Sequence, residues 1–104
     1  MYGTVSRIHI TPGQERAVEE LVQGWLRDRA PRAEGFIGEY ILIPEAAPGE
    51  RLALTVFDSE ASYRKHAADP AQHAWYLQFR AHLESDPEWH DGAVTELLCA
   101  TVPL

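Results

Sequence analysis

The chain has 104 residues, 16 acidic and nine basic, for a formal charge of -7, with 45% hydrophobic and 24% charged residues. That length suits one domain able to bury about 65% of its unfolded surface without staples. The balance excludes disorder and fibrous classes, and its negative charge, spread along the chain, repels the phosphates of nucleic acid and anionic membranes.

A single cysteine, Cys99, rules out an internal disulfide. No window holds the apolar run of a membrane span or the pattern of a signal segment, so the expected location is the cytoplasm.

From Tyr2 to Ile10 the residues alternate, with Ser6, Ile8 and Ile10 on one face and Val5, Arg7 and His9 on the other, the period of a strand. Thr11-Pro12-Gly13-Gln14 reads as a helix start, with Thr11 as N-cap, Pro12 at the first helical position and Gln14 reaching back as in a capping box. Val18, Leu21, Val22, Trp25 and Leu26 then recur on one helical face. Gly35 opens the run Phe36 to Ile43, rich in the aromatic and β-branched residues of a second strand. Pro44 to Gly49 has hairpin length and leads into a third strand, Leu52 to Phe57.

Asp58 or Ser59 suits the N-cap of a helix through Tyr63 to Ala67, and Asp69-Pro70 repeats that start signal. The helix is therefore broken in two, the second half carrying Ala74, Trp75, Tyr76, Leu77, Phe79 and Ala81. Glu84 to Asp91, with Pro87 and Trp89, reads as a polar loop. Ala93 to Val102 alternates as a last strand, with Cys99 a small hydrophobe in it.

The order β-α-β-β-α-α-β places residues 1–104 in the α+β class as one domain with the split βαβ, ferredoxin-like arrangement: an antiparallel sheet with helices on one face. Val5, Ile37, Tyr40 and Phe57 leave apolar side chains on both sheet faces. A second copy of the sheet, related by a two-fold axis, covers the open face most simply, so the expected partner is the chain itself.

Chemical motifs are few. There is no Gly-rich phosphate loop, no nucleophile elbow, no Cys-His pairing and no His-x-x-x-His pair, so nucleotide, covalent-nucleophile and metal chemistry lack support and no cofactor is expected. His66, with an unperturbed pKa of about 6.5, is a candidate base; the plainer alternative is that it caps the C-terminal end of its helix. Trp25, Trp75 and Trp89 with Phe57 are candidates for an aromatic pocket, Trp89 as a lid, against the alternative of ordinary core. Arg7 and His9 are expected to face the partner sheet, with Arg7 paired to Glu39 or Glu96.

Four segments carry a further signal: Ser6 to Gly13 entering the first helix, Gly35-Phe36-Ile37, Val56 to Ala61, and Tyr63 to His66 followed by Asp69-Pro70. In order and spacing they resemble the dimeric α+β barrel proteins of the antibiotic biosynthesis monooxygenase superfamily, over nearly the whole chain. That superfamily includes cofactor-independent oxygenases of anthrones and quinols, haem-degrading enzymes and proteins of unknown role. By the resemblance, the Asn, Trp and His of the haem-degrading branch fall at Ser6, His66 and Tyr76, and none of the three matches.

What the resemblance implies is a homodimer and a cofactor-independent monooxygenase of a small aromatic, a quinol, phenol or polyketide-like ring. His66 and Tyr76 are then the catalytic candidates, with Ser6, Phe57, Tyr40 and Trp75 around the ligand. The alternatives are a non-catalytic protein binding a small ligand or haem, and a dimeric scaffold with a filled core.

Overall fold

A computed structural model describes residues 1–97. Its elements are β1 (Tyr2–His9), α1 (Glu15–Asp28), a 3-10 turn at Ala30–Arg32, β2 (Phe36–Leu42), β3 (Glu50–Phe57), α2 (Glu60–Ala67), α3 (Pro70–Arg80) and β4 (Glu88–Ala93). The four strands form one antiparallel sheet in the order β2-β3-β1-β4. This is the α+β, split βαβ arrangement that the sequence pattern implies.

Each helix starts for a local reason. Ser59 Oγ accepts the amide of Ser62 at 3.1 Å and caps α2, and Asp69 Oδ1 accepts the amide of Ala71 at 2.9 Å ahead of Pro70 and caps α3. The start of α1 differs from the sequence expectation. Thr11 makes no cap; its carbonyl accepts the amide of Gln14 at 2.9 Å across a tight turn in which Gly13 sits at φ +86°. Gln14 is the N-cap without a side-chain bond, and its amide oxygen accepts from His82 Nδ1 at 2.7 Å. A left-handed glycine immediately before the N-cap Gln14 is incompatible with a capping box begun at Thr11.

The last strand also differs. Glu88–Ala93 pairs with β1, Trp89 opposite Ser6 and Asp91 opposite Thr4, so the Glu84 to Asp91 segment is not a loop throughout. Edge strands tolerate polar residues, and Glu88 and His90 on the open face hide the alternation that would betray a strand. Ala93 closes β4 and residues 94–97 carry no strand; the remainder of the expected strand, with Cys99, lies outside the described residues.

The core is Ile8, Ile10, Val18, Phe79 and Leu83, with Leu21, Val22, Trp75 and Tyr76 packed against it. It occupies the end of the sheet where Ile10 bridges Leu83 and Thr11 N–H donates to His82 O at 2.9 Å. Phe57, fully buried, anchors the other end; burying such a side chain contributes roughly 1.5–3 kcal/mol. Between these two packed ends the helices stand off the sheet. The opposite face carries Val5, Tyr40, Leu42, Leu52 and Leu54, with Tyr40 72% and Leu42 57% exposed.

Candidate functional site

Strand register decides which side chains face the helices. Glu39 on β2 lies opposite Thr55 on β3, Thr55 opposite Thr4 on β1, and Thr4 opposite Asp91 on β4. These four form a polar row across the inner face of the whole sheet, neighbours about 4.5–5.5 Å apart. The adjacent row is Ile41, Ala53, Ser6 and Trp89. Above both rows lies a cavity of about 490 Å³, roofed by Trp25 of α1, His66 of α2, and Gln72, Trp75, Tyr76 and Phe79 of α3. Apolar walls with a few convergent polar groups are the general form of a small-molecule site.

The roof is held rigidly. Trp25 Nε1–H donates to Gln72 Oε1 at 2.7 Å, and Trp75 Nε1–H to the carbonyl of Leu21 at 3.3 Å, so both indoles are fixed between α1 and α3. His66 lies edge-on to Trp25 at 5.6 Å and tilted on Phe57 at 5.0 Å between ring centres. Tyr76 meets Trp89 at 6.2 Å.

A larger groove of about 740 Å³ runs outside the 3-10 turn and α2 and shares His66 with the cavity. Its charges largely neutralise one another, Lys65 with Glu34 at 2.6 Å and Arg29 with Asp69 at 3.4 Å. The inner cavity is therefore the candidate site.

Burial and neighbouring charge set the protonation of its groups. Desolvation, reinforced by the cation of Arg29, pushes the His66 pKa down, so at neutral pH it is a neutral imidazole. Burial, with Asp86 adding to it, pushes the Tyr76 phenol up. Tyr63 is pushed up to about 12 by burial and by its hydrogen bond to Asp91 Oδ1 at 2.9 Å. Both phenols are donors. Burial alone raises Glu39, whose carboxylate meets no opposite charge or hydrogen-bond donor among the described residues. Thr4 Oγ1 is buried beside the Tyr63 hydroxyl and, among the described residues, makes no well-aligned hydrogen bond.

His66, Tyr76, Ser6, Phe57 and Trp75 all line this cavity. The imidazole of His66, in the last turn of α2, packs against the rings of Trp25 and Phe57. Trp89 is not a loop lid but a strand residue at the cavity edge. Tyr40 does not join them: it pairs with Leu54 on the open face. A β-bulge is the reason. Phe36 opposes Phe57 and Gly38 opposes Val56, so Ile37 is an extra residue and the alternation is reset. Without it Tyr40 would face inward; with it Glu39 does.

Arg7 likewise pairs not with Glu39 but with Glu50 at 3.9 Å and Glu88 at 4.0 Å, because Glu39 faces inward and Arg7 outward. Glu39, Thr55, Thr4 and Asp91 escape sequence reading because only register brings them together. Among the described residues no group of three His, Cys, Asp or Glu is placed to hold a metal ion, and no helix is long and apolar enough to cross a membrane.

Comparison with known proteins gives a consistent picture. Residues 1–77 match the family described as antibiotic biosynthesis monooxygenase. Among solved structures, SnoaB of Streptomyces nogalater, described as a cofactor-independent oxygenase, is 18% identical with a TM-score of 0.73, covering 93% of this chain and 95% of that one. A protein of unknown function from Nitrosomonas europaea is 23% identical with a TM-score of 0.71, covering 99% of this chain and 94% of that one. A Caulobacter crescentus structure described by the same family name is 13% identical with a TM-score of 0.80, covering 91% of this chain and 90% of that one. At these identities the likeness is one of fold. No curated protein matches the chain.

Proposed function

Since the chain belongs to the antibiotic biosynthesis monooxygenase family, we propose that it is a cofactor-independent monooxygenase that inserts one oxygen atom into a small phenolic ring, a phenol giving the quinone and a quinol the hydroxyquinone. The observation that carries this reading is the cavity itself: aromatic walls to hold a flat ring, with a neutral imidazole and a protonated phenol projecting into it from adjacent helices.

The chemistry balances without a cofactor. A phenol loses its O–H and one ring C–H; one oxygen atom of O2 becomes the second carbonyl, and the other leaves with the two hydrogens as water. The substrate supplies every electron, so the protein has to move protons, hold the ring and exclude water. His66, neutral, accepts the C–H proton. Tyr76 donates to a ring oxygen, while Ser6, Phe57 and Trp75 bound the ring plane. The description of SnoaB as a cofactor-independent oxygenase supports this class of reaction.

The working unit we propose is a homodimer. The open sheet face, with Val5, Tyr40 and Leu42 exposed, offers a second copy the same apolar surface, and a self-complementary face is the requirement of a two-fold interface.

Oxygen uptake with a panel of hydroquinones, naphthols and hydroxylated polycyclic rings tests the activity. The expected result is one O2 consumed per quinone formed, reduced strongly by His66→Ala. No uptake across the panel, or uptake unchanged in His66→Ala, overturns the reading.

A further inference from the structure

The phenol-to-quinone reaction passes two protons from the substrate to the departing oxygen atom, and His66 accounts for one. We propose that Glu39 is a second proton acceptor, the group that takes the hydroxyl proton of the bound phenol from the sheet side of the cavity. The hydroxyls of Thr55 and Thr4, next in the same row, would face the oxygen left behind. This inference rests on the oxygenase reading and adds to it a catalytic carboxylate and a substrate class that must carry a free ring hydroxyl.

Three observations carry it. The β-bulge between Phe36 and Gly38 is what turns Glu39 inward, and bulges of this kind re-aim side chains beside active sites. Glu39 heads the polar row Glu39-Thr55-Thr4-Asp91, in which Thr4 Oγ1 is buried beside the Tyr63 hydroxyl and, among the described residues, makes no well-aligned hydrogen bond. A buried hydroxyl so poorly satisfied is destabilising, and a ligand oxygen at this row would satisfy it.

Among the described residues, Glu39 is also the one carboxylate lining the cavity with no charge-neutralising contact. Asp91, at the far end of the row, is engaged by the hydroxyl of Tyr63 at 2.9 Å and by Arg64 at 3.5 Å.

The remaining groups facing the cavity leave the role to Glu39. Arg51 of β3, buried, donates to the carbonyls of Pro48 at 2.6 Å and Glu50 at 2.8 Å and lies 3.8 Å from Glu19. Tyr63 and Tyr76 hold their protons more tightly than free phenols do. His73 of α3 is exposed at the rim. The proton transfer balances simply: the substrate O–H bond breaks, an O–H bond forms on Glu39, and the phenolate keeps the electron pair that makes the ring able to reduce O2.

Two measurements decide it. On a turned-over phenol, Glu39→Gln should lower kcat by about 10²–10⁴-fold with KM changed only a few-fold. Glu39→Asp should recover part of the loss, and of the two acid-side steps in the wild-type kcat, one from Glu39 and one from His66, Glu39→Gln should keep only the His66 step. Unchanged kcat with both steps intact overturns the proposal.

If the wild-type protein turns over no phenol, the oxygenase reading fails, and the placement of Glu39 is judged by the second measurement. The ionisation of bound para-nitrophenol is followed by its colour in wild type and Glu39→Gln. A carboxylate against the ligand makes the bound phenol ionise at higher pH in the wild type than in the variant. Equal ionisation in the two proteins, or no saturable binding, overturns it.

Discussion

The indole N–H of Trp25 donates to the side-chain oxygen of Gln72 across 2.7 Å, joining α1 to α3 through two residues 47 apart in sequence, directly over the cavity. Trp25 is 5% exposed, so outside water has little access to its indole N–H if the bond is lost.

Gln72→Leu should therefore strand a buried donor and cost about 1–3 kcal/mol, while Gln72→Glu, which keeps an acceptor, should cost less. Urea unfolding of the three proteins checks this. At about 4–8 °C per kcal/mol for a domain of this size, the loss should also appear as a lowered Tm. Equal stability of Gln72→Leu and wild type would show that the bond holds nothing.

Ala53 sits at the middle of the cavity floor, between Ile41 and Ser6 in its row. A larger side chain there projects into the space a ligand would fill, and the open cavity relieves the overpacking that usually costs about 1–3 kcal/mol. Ala53→Leu should retain the unfolding midpoint of the wild type within about 1 kcal/mol and lose saturable binding of para-nitrophenol. Retained binding would place the ligand elsewhere.

Gly35, at φ +76°, precedes β2, where its carbonyl accepts the amide of Asp58 at 2.8 Å. A Cβ at this position would run into the side chains of Asp58 and Ser62, the latter at 2.5 Å from its hydroxyl. Gly35→Ala should lose about 1–3 kcal/mol from backbone strain alone, with the collision adding to it. The check is the urea midpoint, with Gly92→Ala, whose Cβ would meet nothing within 4 Å, as the control.

How far the sequence reaches is clearest at β2. The starts of α2 and α3 were legible because Ser59 and Asp69-Pro70 act locally, and the hairpin because Pro44 to Gly49 punctuates two apolar runs; the cap of α1 was not, because the turn at Gly13 displaces it from Thr11 to Gln14. Facing was not legible. Phe36 to Ile43 is apolar at most positions, so its period marks neither face, and the bulge at Ile37 shifts every later residue by one. That single extra residue sends Tyr40 to the open face and brings Glu39 into the cavity. Likewise His66 and Tyr76 share a cavity because of how α2 and α3 pack around the Asp69 break, which is a tertiary fact. β4 escaped because its outward residues, Glu88 and His90, are polar and its inward ones, Trp89 and Asp91, do not alternate with them in hydrophobicity.

The dimer proposal makes Tyr40 decisive. It is 72% exposed among Val5, Leu42 and Leu54 on the open face, so Tyr40→Glu would bring carboxylates into an apolar interface from both copies. Light scattering should give the mass of two chains for the wild type and of one for the variant. A monomeric wild type would discard the dimer and leave the cavity proposals standing.

The pH dependence of stability offers a test of Glu39 that needs no substrate. Burial raises its folded pKa above the ordinary value of 4.5. A raised folded pKa means that the folded chain binds the proton more tightly than the unfolded one. Glu39 thus contributes stability that is fully present below its unfolded pKa and is lost as pH rises through the folded value. Gln has no such titration. Glu39→Gln and wild type should therefore unfold at the same urea midpoint below the ordinary carboxylate range and separate as pH rises, the variant being the more stable at neutral pH. Other titrating groups, His66 included, are common to both proteins and largely cancel in the difference. A variant less stable than wild type at neutral pH, or a difference independent of pH, would mean that the carboxylate is well solvated or paired. A variant that is more stable yet slower would mark Glu39 as a residue whose burial destabilises the fold while serving the chemistry of the cavity.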